Sequence, residues 1–281
     1  MSLPGVPPAP PAGGEPVPFV TATGTSALVI SIPHAGTGIP QGLAERMTPA
    51  ALAVPDTDWH VPLLYARARE RGSAWIEAQL SRYVIDLNRP PDDAALYPGQ
   101  VSTGLCPTHS FAGDALYPGA TPDAAEVEAR RTRWWAPYHA ALDALVAAAC
   151  ARHGYCLLLD AHSIRSEVPR LFGGVLPDLN LGTNDGRSCD DGLAQLALQV
   201  LGSQAAFSAV RDGRFKGGYI TRSRGRPEAG VHALQLEIAQ SAYMDEATGS
   251  WNSARGAPLV ALLEELVDTL LTWQPGARSG S

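Results

Sequence analysis

The sequence is poor in lysine and in charge. Lys216 is its only lysine, so the 21 basic residues are nearly all arginine, and 28 acidic residues give a net charge of −7. A chain of this kind is not expected to bind nucleic acid non-specifically, because such binding depends on clustered cations that neutralise phosphates. Most of the arginine excess is typical of compositional bias, although a guanidinium also has the geometry that best fits a carboxylate.

Cysteine and long apolar runs are scarce as well. The four cysteines form no CxxC pair and no dense array, which argues against a zinc knuckle or a disulfide scaffold and favours a reducing compartment. The longest apolar segments are too short or too interrupted to span a bilayer, and the first residues lack the order of a signal peptide. We therefore expect a cytoplasmic protein that does not contact a membrane.

The remaining composition is that of a globular domain. Apolar residues make up 45% of the 281 residues and charged residues 17%, which allows a large buried core and excludes a mostly disordered chain. Residues 1–18 are rich in proline and are expected to form an arm rather than a helix or a central strand. Because no repeat or linker interrupts the rest, we expect one domain over residues 19–275 and a flexible tail over 276–281.

Short apolar strands alternate with helical patterns along this domain. The predicted strands cover residues 27–32, 74–80, 155–160, 207–210 and 233–238, and the predicted helices cover 58–71, 124–152, 192–201 and 258–273. We expect Pro137 to kink the second helix. The alternation predicts an α/β fold, a mixed and mostly parallel sheet with helices on both faces. Ligands bind beyond the carboxyl ends of the strands in such folds.

Polar side chains follow three of the predicted strands at that end. His34 and His162 each come directly after an apolar run, and Glu237 lies near the end of another. Asp56 and Asp58 lie between the two histidines, at a predicted helix start. Two histidines and a carboxylate with one open position make a catalytic zinc site, and a further glutamate can act as general base. Each residue also has a structural explanation, since a histidine can be merely hydrogen-bonded, an aspartate an N-cap and a glutamate ion-paired.

Several motifs occur in a fixed order between residues 18 and 272. They cover residues 31–36, 56–60, 81–89, 160–166, 181–189, 216–222, 230–237 and 243–246. Together they resemble the N-formylglutamate amidohydrolase (N-formylglutamate deformylase) family. The resemblance implies a zinc-exopeptidase-like (phosphorylase/hydrolase-like) α/β fold and an amidohydrolase that converts N-formyl-L-glutamate to formate and L-glutamate in histidine degradation.

The resemblance also implies roles for the candidate residues. His34 and His162 are expected to bind one divalent metal ion, and Glu237 is expected to act as general base and to pass a proton to the leaving amine. For the third ligand we choose Asp58, which can reach back over the sheet edge from the helix start, whereas Asp56 suits the N-cap; Asp56 stays the alternative. Zn²⁺ is the expected ion, although such ligands also suit Fe(II), Mn or Co.

A dicarboxylate substrate requires cationic partners. The pair Asn88 and Arg89 resembles the carboxylate-binding dipeptide of metallocarboxypeptidases, so Arg89 is expected to bind the α-carboxylate with Asn88 assisting. Arg165 and Arg222 lie in matched motifs and are the candidates for the side-chain carboxylate. Each of these arginines can instead belong to a structural ion pair.

Two other functions stay open. One is a related metal amidohydrolase or deacylase that acts on another N-acyl amino acid or a short peptide; it would share the metal and base residues and differ in its arginines. The other is an inactive module that binds an acidic ligand. All three functions imply a small-molecule partner, and the sequence does not indicate the oligomeric state.

Overall fold

The computed structural model describes residues 17–95 and 102–276. The predicted arm over 1–18 and tail over 276–281 lie almost wholly outside the described residues. A seven-stranded sheet runs through the described part. Its strands are β1 Phe19–Ala22, β2 Leu28–Ile32, β3 Ala74–Ala78, β4 Cys156–Ile164, β5 Leu179–Gly182, β6 Ala209–Arg211 and β7 Val231–Ala239.

The spatial order of the strands is β1-β3-β2-β4-β7-β5-β6. Strands β3, β2, β4 and β7 run parallel in the centre, and β6 runs parallel to β5. Within this sheet, as far as the described residues extend, the antiparallel pairs are β1 with β3 and β5 with β7. The predicted mixed, mostly parallel sheet is therefore confirmed. A separate two-stranded ribbon consists of β8 Met244–Asp245 and β9 Ser250–Trp251.

Helices connect and cover these strands. They are α1 Gln41–Ala44, α2 Pro49–Leu52, α3 Val61–Leu64, α4 Ala66–Glu70, α5 Ala124–Arg130, α6 Ala136–His153, α7 Asp191–Leu201, α8 Tyr219–Arg224 and α9 Ser253–Thr272. No helix within the described ranges is long and apolar enough to cross a membrane.

Two predicted helices are interrupted. The pattern over 58–71 gives the short helices α3 and α4, because His60 has a left-handed backbone (φ 62°) and Tyr65 between them is not helical (φ −109°). The pattern over 124–152 gives α5 and α6, joined by a π-helical turn at Arg131–Trp135. This turn lies directly before Pro137, whose nitrogen has no hydrogen to donate to the preceding turn.

The sheet is buried on both faces. Leu28, Ile30 and Ile32 of β2 belong to one core cluster, which includes residues of α7 and α9. Val29 between them belongs to a second cluster, which includes Tyr138 and other residues of α6. Because successive side chains of a strand point to opposite faces, these clusters lie on opposite sides of the sheet. Such burial explains the uninterrupted apolar runs of the central strands.

Candidate active site

The central strands bring three of the predicted residues to one edge of the sheet. Strand β2 ends two residues before His34, and His162 of β4 is the register partner of Glu237 in β7. The loop before α3 supplies Asp58, whose amide N–H donates to the His34 carbonyl at 3.0 Å. Its Oδ2 also accepts from the amide of Ser163 at 3.1 Å, which holds the carboxylate against β4.

His34, Asp58 and His162 form a buried group whose potential ligand atoms all lie within 4.8 Å of one another. Oδ2 of Asp58 is 3.0 Å from Nδ1 of His162 and 3.8 Å from Nδ1 of His34. Oδ1 of Asp58 is buried and accepts no hydrogen bond from the described residues. A buried carboxylate oxygen without a partner is costly unless a cation compensates it. Two imidazole nitrogens and a carboxylate oxygen are a donor set that fits a divalent metal ion.

Asp56, the alternative third ligand, is bound elsewhere. Its Oδ2 accepts hydrogen bonds from the hydroxyl of Tyr83 and from the amide of Phe111, both at 2.7 Å. These contacts join two loops, and Asp56 does not belong to the metal-binding group of the described residues.

Each histidine of the group has a second carboxylate behind its ring. Nε2 of His34 lies 2.7 Å from Oδ1 of Asp86, and Nε2 of His162 lies 3.2 Å from Oδ1 of Asp160. A carboxylate in this position fixes the tautomer and directs the opposite ring nitrogen to a metal. Both aspartates lie in the matched motifs, but sequence reasoning did not assign them a role.

Buried charges around these residues shift their pKa values. Burial lowers the pKa of His162, but Asp160 and Asp58 outweigh burial and raise it well above its usual range. Burial raises the pKa of Asp86, yet the charges of His34 and Arg82 hold it well below its usual range. A metal ion binds neutral imidazole, so its binding at this group would release a proton from His162.

Arg82 is a further buried charge that sequence reasoning missed, although it lies in the matched segment 81–89. Its guanidinium donates to Oδ2 of Asp86 at 2.8 Å and lies 3.7 Å from Oδ1 of Asp58. It also lies over the ring of Phe111, 4.6 Å from the centroid. The positive charge of Arg82 therefore offsets the negative charges of the Asp86 and Asp58 carboxylates.

Glu237 lies beside the metal-binding group and is 7% exposed. Burial raises its pKa to about 8, with an opposing effect from His162 and a further increase from the charge of Asp58. Its nearest amide contact is Nε2 of Gln235, 3.5 Å from Oε2. A carboxyl group in this setting exchanges a proton close to neutral pH, as a general acid or base must.

A cavity opens beside these residues. His34, His162 and Glu237 line it, and so do the apolar side chains of Leu171 and Phe215. Three arginines, Arg82, Arg89 and Arg214, also lie among its lining residues. A lining of this kind suits an anionic small molecule, next to a group of residues that could hold a metal ion.

Two of the four predicted substrate-binding residues line the cavity of the described residues, and two do not. Asn88 and Arg89 line the cavity, and the Arg89 guanidinium donates to Oγ1 of Thr103 at 3.3 Å. Arg165 and Arg222 are not among the lining residues. Arg165 donates to the Glu246 carbonyl at 2.6 Å, and Arg222 donates through Nε to the Gly217 carbonyl at 2.7 Å.

The segment over residues 86–89 is held from behind by the helix that covers this face. Nε2 of His139 lies 2.9 Å from the carbonyl oxygen of Leu87. Nε1 of Trp135 donates to the carbonyl of Arg89 at 3.0 Å. Burial lowers the pKa of His139 to about 3, so this imidazole is neutral and serves as a fixed hydrogen-bonding group.

Comparison with known proteins places these observations in a family. A model described as N-formylglutamate amidohydrolase matches residues 26–244. A protein named N-formylglutamate deformylase from Pseudomonas aeruginosa is 47% identical over 248 residues, which are 88% of this chain and 93% of that protein. A protein of the same name from Pseudomonas putida is 44% identical over 88% of this chain and 92% of its own length.

Solved structures agree with these matches. The crystal structure of N-formylglutamate amidohydrolase from Ralstonia eutropha JMP134 superposes with a TM-score of 0.77 at 28% identity, covering 89% of this chain and 95% of that chain. A gene product from Agrobacterium tumefaciens superposes with a TM-score of 0.71 at 19% identity, covering 91% and 95%, and shares the fold.

Proposed function

The chain belongs to the N-formylglutamate amidohydrolase family, and from this membership we propose that it hydrolyses N-formyl-L-glutamate to formate and L-glutamate. The observation that carries the proposal is the buried group of His34, Asp58 and His162 beside Glu237, in a cavity that arginines line. The protein is thus a hydrolase of a linear amide, and histidine degradation in the cytoplasm is the proposed setting.

We propose that His34, Asp58 and His162 bind one divalent metal ion, with Zn²⁺ as the expected ion. The convergence of both Nδ1 atoms on one carboxylate supports this assignment, and so does Oδ1 of Asp58, which is buried and accepts no hydrogen bond from the described residues. A bound ion would polarise the formyl oxygen and lower the pKa of a water molecule. Two histidines and a carboxylate at a sheet edge also support the proposed kinship with zinc exopeptidases.

Glu237 is the proposed carrier of the proton. As the water oxygen attacks the formyl carbon, the carboxylate of Glu237 accepts a proton from that water. It then gives this proton to the amide nitrogen while the carbon–nitrogen bond breaks. The second proton of the water passes from the formic acid product to the released amine, so formate and an ammonium group result. Burial raises the pKa of Glu237 in the metal-free protein to about 8, and a bound cation would lower it toward neutral pH, which suits both transfers.

Arg89 is proposed to bind the α-carboxylate of the substrate. Its Nε lies 3.8 Å from Oδ2 of Asp86, the aspartate that contacts His34. The guanidinium therefore lies on the metal side of the cavity, where the amide and the adjacent α-carbon of the substrate must lie. A planar guanidinium can hold a carboxylate through two parallel hydrogen bonds.

Formate release from N-formyl-L-glutamate, measured beside the metal content of the purified protein, tests the proposal. We expect chelation to abolish formate release and Zn²⁺ to restore it. His34→Ala should lose the metal, whereas His153→Ala should retain it, because His153 is exposed and lies 3.0 Å from the Thr25 carbonyl. Activity of His34→Ala without metal would contradict the assignment.

Substitution of the base and a change of acyl group sharpen the test. Glu237→Gln should keep the metal and lower kcat by about 10³-fold, as loss of a general base does. The parent protein should release formate from N-formyl-L-glutamate faster than acetate from N-acetyl-L-glutamate. The opposite preference would favour the related deacylase.

A further inference from the structure

We propose that Arg214 binds the side-chain carboxylate of the substrate and thereby selects acidic N-formyl amino acids; this rests on the proposed function. Every N-formyl amino acid carries an α-carboxylate, so the cation that binds this group cannot distinguish glutamate from other residues. Selection requires a second cation elsewhere on the cavity wall, and a guanidinium is the side chain best suited to a carboxylate.

The contacts of Arg82 exclude it as that second cation. Its guanidinium is buried, donates to Asp86 at 2.8 Å and packs over the ring of Phe111. If Arg82 turned toward a substrate, the buried Asp86 carboxylate would lose its partner, which is strongly unfavourable. Arg89 lies on the metal side and is assigned to the α-carboxylate. Arg214 is the arginine that the described cavity lining leaves for the second role.

The position of Arg214 suits this role. It follows β6, and its Nε and Nη2 both donate to the carbonyl of Leu171, at 3.1 and 3.0 Å. Its guanidinium lies 5.2 Å from the ring centroid of Phe215. Because a main-chain carbonyl already holds this guanidinium, the side chain loses little conformational entropy when a carboxylate binds.

The surroundings of Arg214 differ from those of the metal site. Leu171 and Phe215 both line the cavity and pack against a small apolar cluster. The buried members of this cluster are Phe111, Ile164, Val168 and Leu176. Apolar walls suit the two methylene groups of glutamate, and the lower local dielectric strengthens an ion pair with the terminal carboxylate.

A comparison of two substrates and four variants tests the assignment. N-formyl-L-glutamine has the length of N-formyl-L-glutamate but no side-chain charge. For Arg214→Gln we expect kcat/KM to fall about 100-fold with the glutamate substrate and less than about threefold with the glutamine substrate, since only the former loses a charge-assisted contact. Arg89→Gln should lower kcat/KM for both substrates by similar factors.

Arg170→Gln is the matched control. Arg170 is exposed and also donates to a main-chain carbonyl, that of Ser110 at 3.1 Å, but it is not a lining residue of the described cavity. This variant should have the same kcat/KM as the parent protein for both substrates. Arg214→Lys keeps the positive charge and should retain part of the preference for the glutamate substrate. A thermal melt of each variant shows whether that variant folds.

Equal losses on both substrates with Arg214→Gln would overturn the assignment, and so would an unchanged preference for glutamate. Binding of L-glutamate and L-glutamine to the metal-loaded protein, measured by calorimetry, decides the question independently of turnover. If the parent released no formate, the proposed function would fail. A preference for L-glutamate that disappears in Arg214→Gln would nevertheless support the role of Arg214, and a preference that persists would refute it.

Discussion

Nδ2 of Asn88 lies 2.8 Å from Nε2 of His162 and 3.0 Å from Oδ2 of Asp160. One amide therefore contacts both the histidine and the aspartate behind its ring. Its Oδ1 accepts from the amide of Ile220 at 2.8 Å, which fixes the orientation of the side chain. The resemblance to carboxypeptidases implies contact with substrate for this residue, whereas its amide nitrogen contacts His162, a candidate metal ligand, and Asp160.

Asn88→Ala should weaken metal binding. Loss of a group that orients a ligand typically costs 10- to 100-fold in metal affinity, and we expect a loss of about 10-fold, measured by competition with a chromogenic chelator. Asn252→Ala, which removes the N-cap of α9, is the control with unchanged metal affinity. A rise in KM alone, with metal affinity intact, would assign Asn88 to the substrate instead.

The two neighbouring aspartates should respond differently to the same substitution. Asp58→Asn should lose most metal binding, because Oδ2 of Asp58 lies between the two histidines. Asp56→Asn should keep the metal and lose stability, because its carboxylate joins Tyr83 and Phe111. Metal analysis together with urea unfolding separates these effects, and metal loss in Asp56→Asn alone would reverse the assignment.

The buried carboxyl of Glu237 should make the metal-free protein less stable as the pH rises. Burial raises its folded pKa from 4.5 to about 8, so between these values the folded protein binds more protons than the unfolded chain. Stability then falls with rising pH. Relative to the parent, Glu237→Gln should therefore gain stability between pH 5 and pH 8, measured by urea unfolding at both values. Parallel pH profiles of the two proteins would contradict this.

Asp86→Asn should destabilise the fold as well as the metal site. The substitution leaves the buried Arg82 guanidinium without the carboxylate at 2.8 Å, and breaking a buried pair costs about 3 kcal/mol or more. Asp268→Asn is the matched control, because Asp268 is exposed on α9 and pairs with Arg71; exposed pairs contribute little. Similar free energies of unfolding for the two variants would show that the buried pair is not stabilising.

Local sequence patterns located the central strands, although β4 runs to Ile164, four residues beyond the predicted end, so His162 lies within it. A histidine directly after an apolar run is a local signal, and both His34 and His162 lie at the predicted edge of the sheet. Strands β1 and β5 were missed, because each has only four residues and neither shows a clear alternation. The helix predicted over 58–71 begins only after His60, whose backbone is left-handed, and it is interrupted at Tyr65. Neither side chain gives a local signal of this.

The supporting charges of the site were harder to predict than its candidate ligands. Asp86, Asp160 and Arg82 acquire their roles only when distant segments meet, since the partners of Asp86 include His34, 52 positions away. Arg82 and Asp86 lie in a loop, where a charged residue is usually solvated, and Asp160 lies in β4. Nothing local shows that the side chains of these three residues are buried. Arg214 likewise joins the cavity wall through Leu171, 43 positions away.

The segment over 86–89 carries the aspartate behind His34, the asparagine beside His162 and the arginine that lines the cavity. All three lie within four positions that His139 of α6 and the preceding Trp135 hold from behind. An insertion or deletion here would displace metal and substrate contacts at the same time, so selection can hardly alter one without the other. Arg214 lies outside this segment, on the loop after β6, where its guanidinium contacts the carbonyl of Leu171 and the ring of Phe215. Substitutions in the loop after β6, in nature or in the laboratory, are therefore the changes expected to alter which acyl amino acid is preferred while the metal contacts of segment 86–89 are kept.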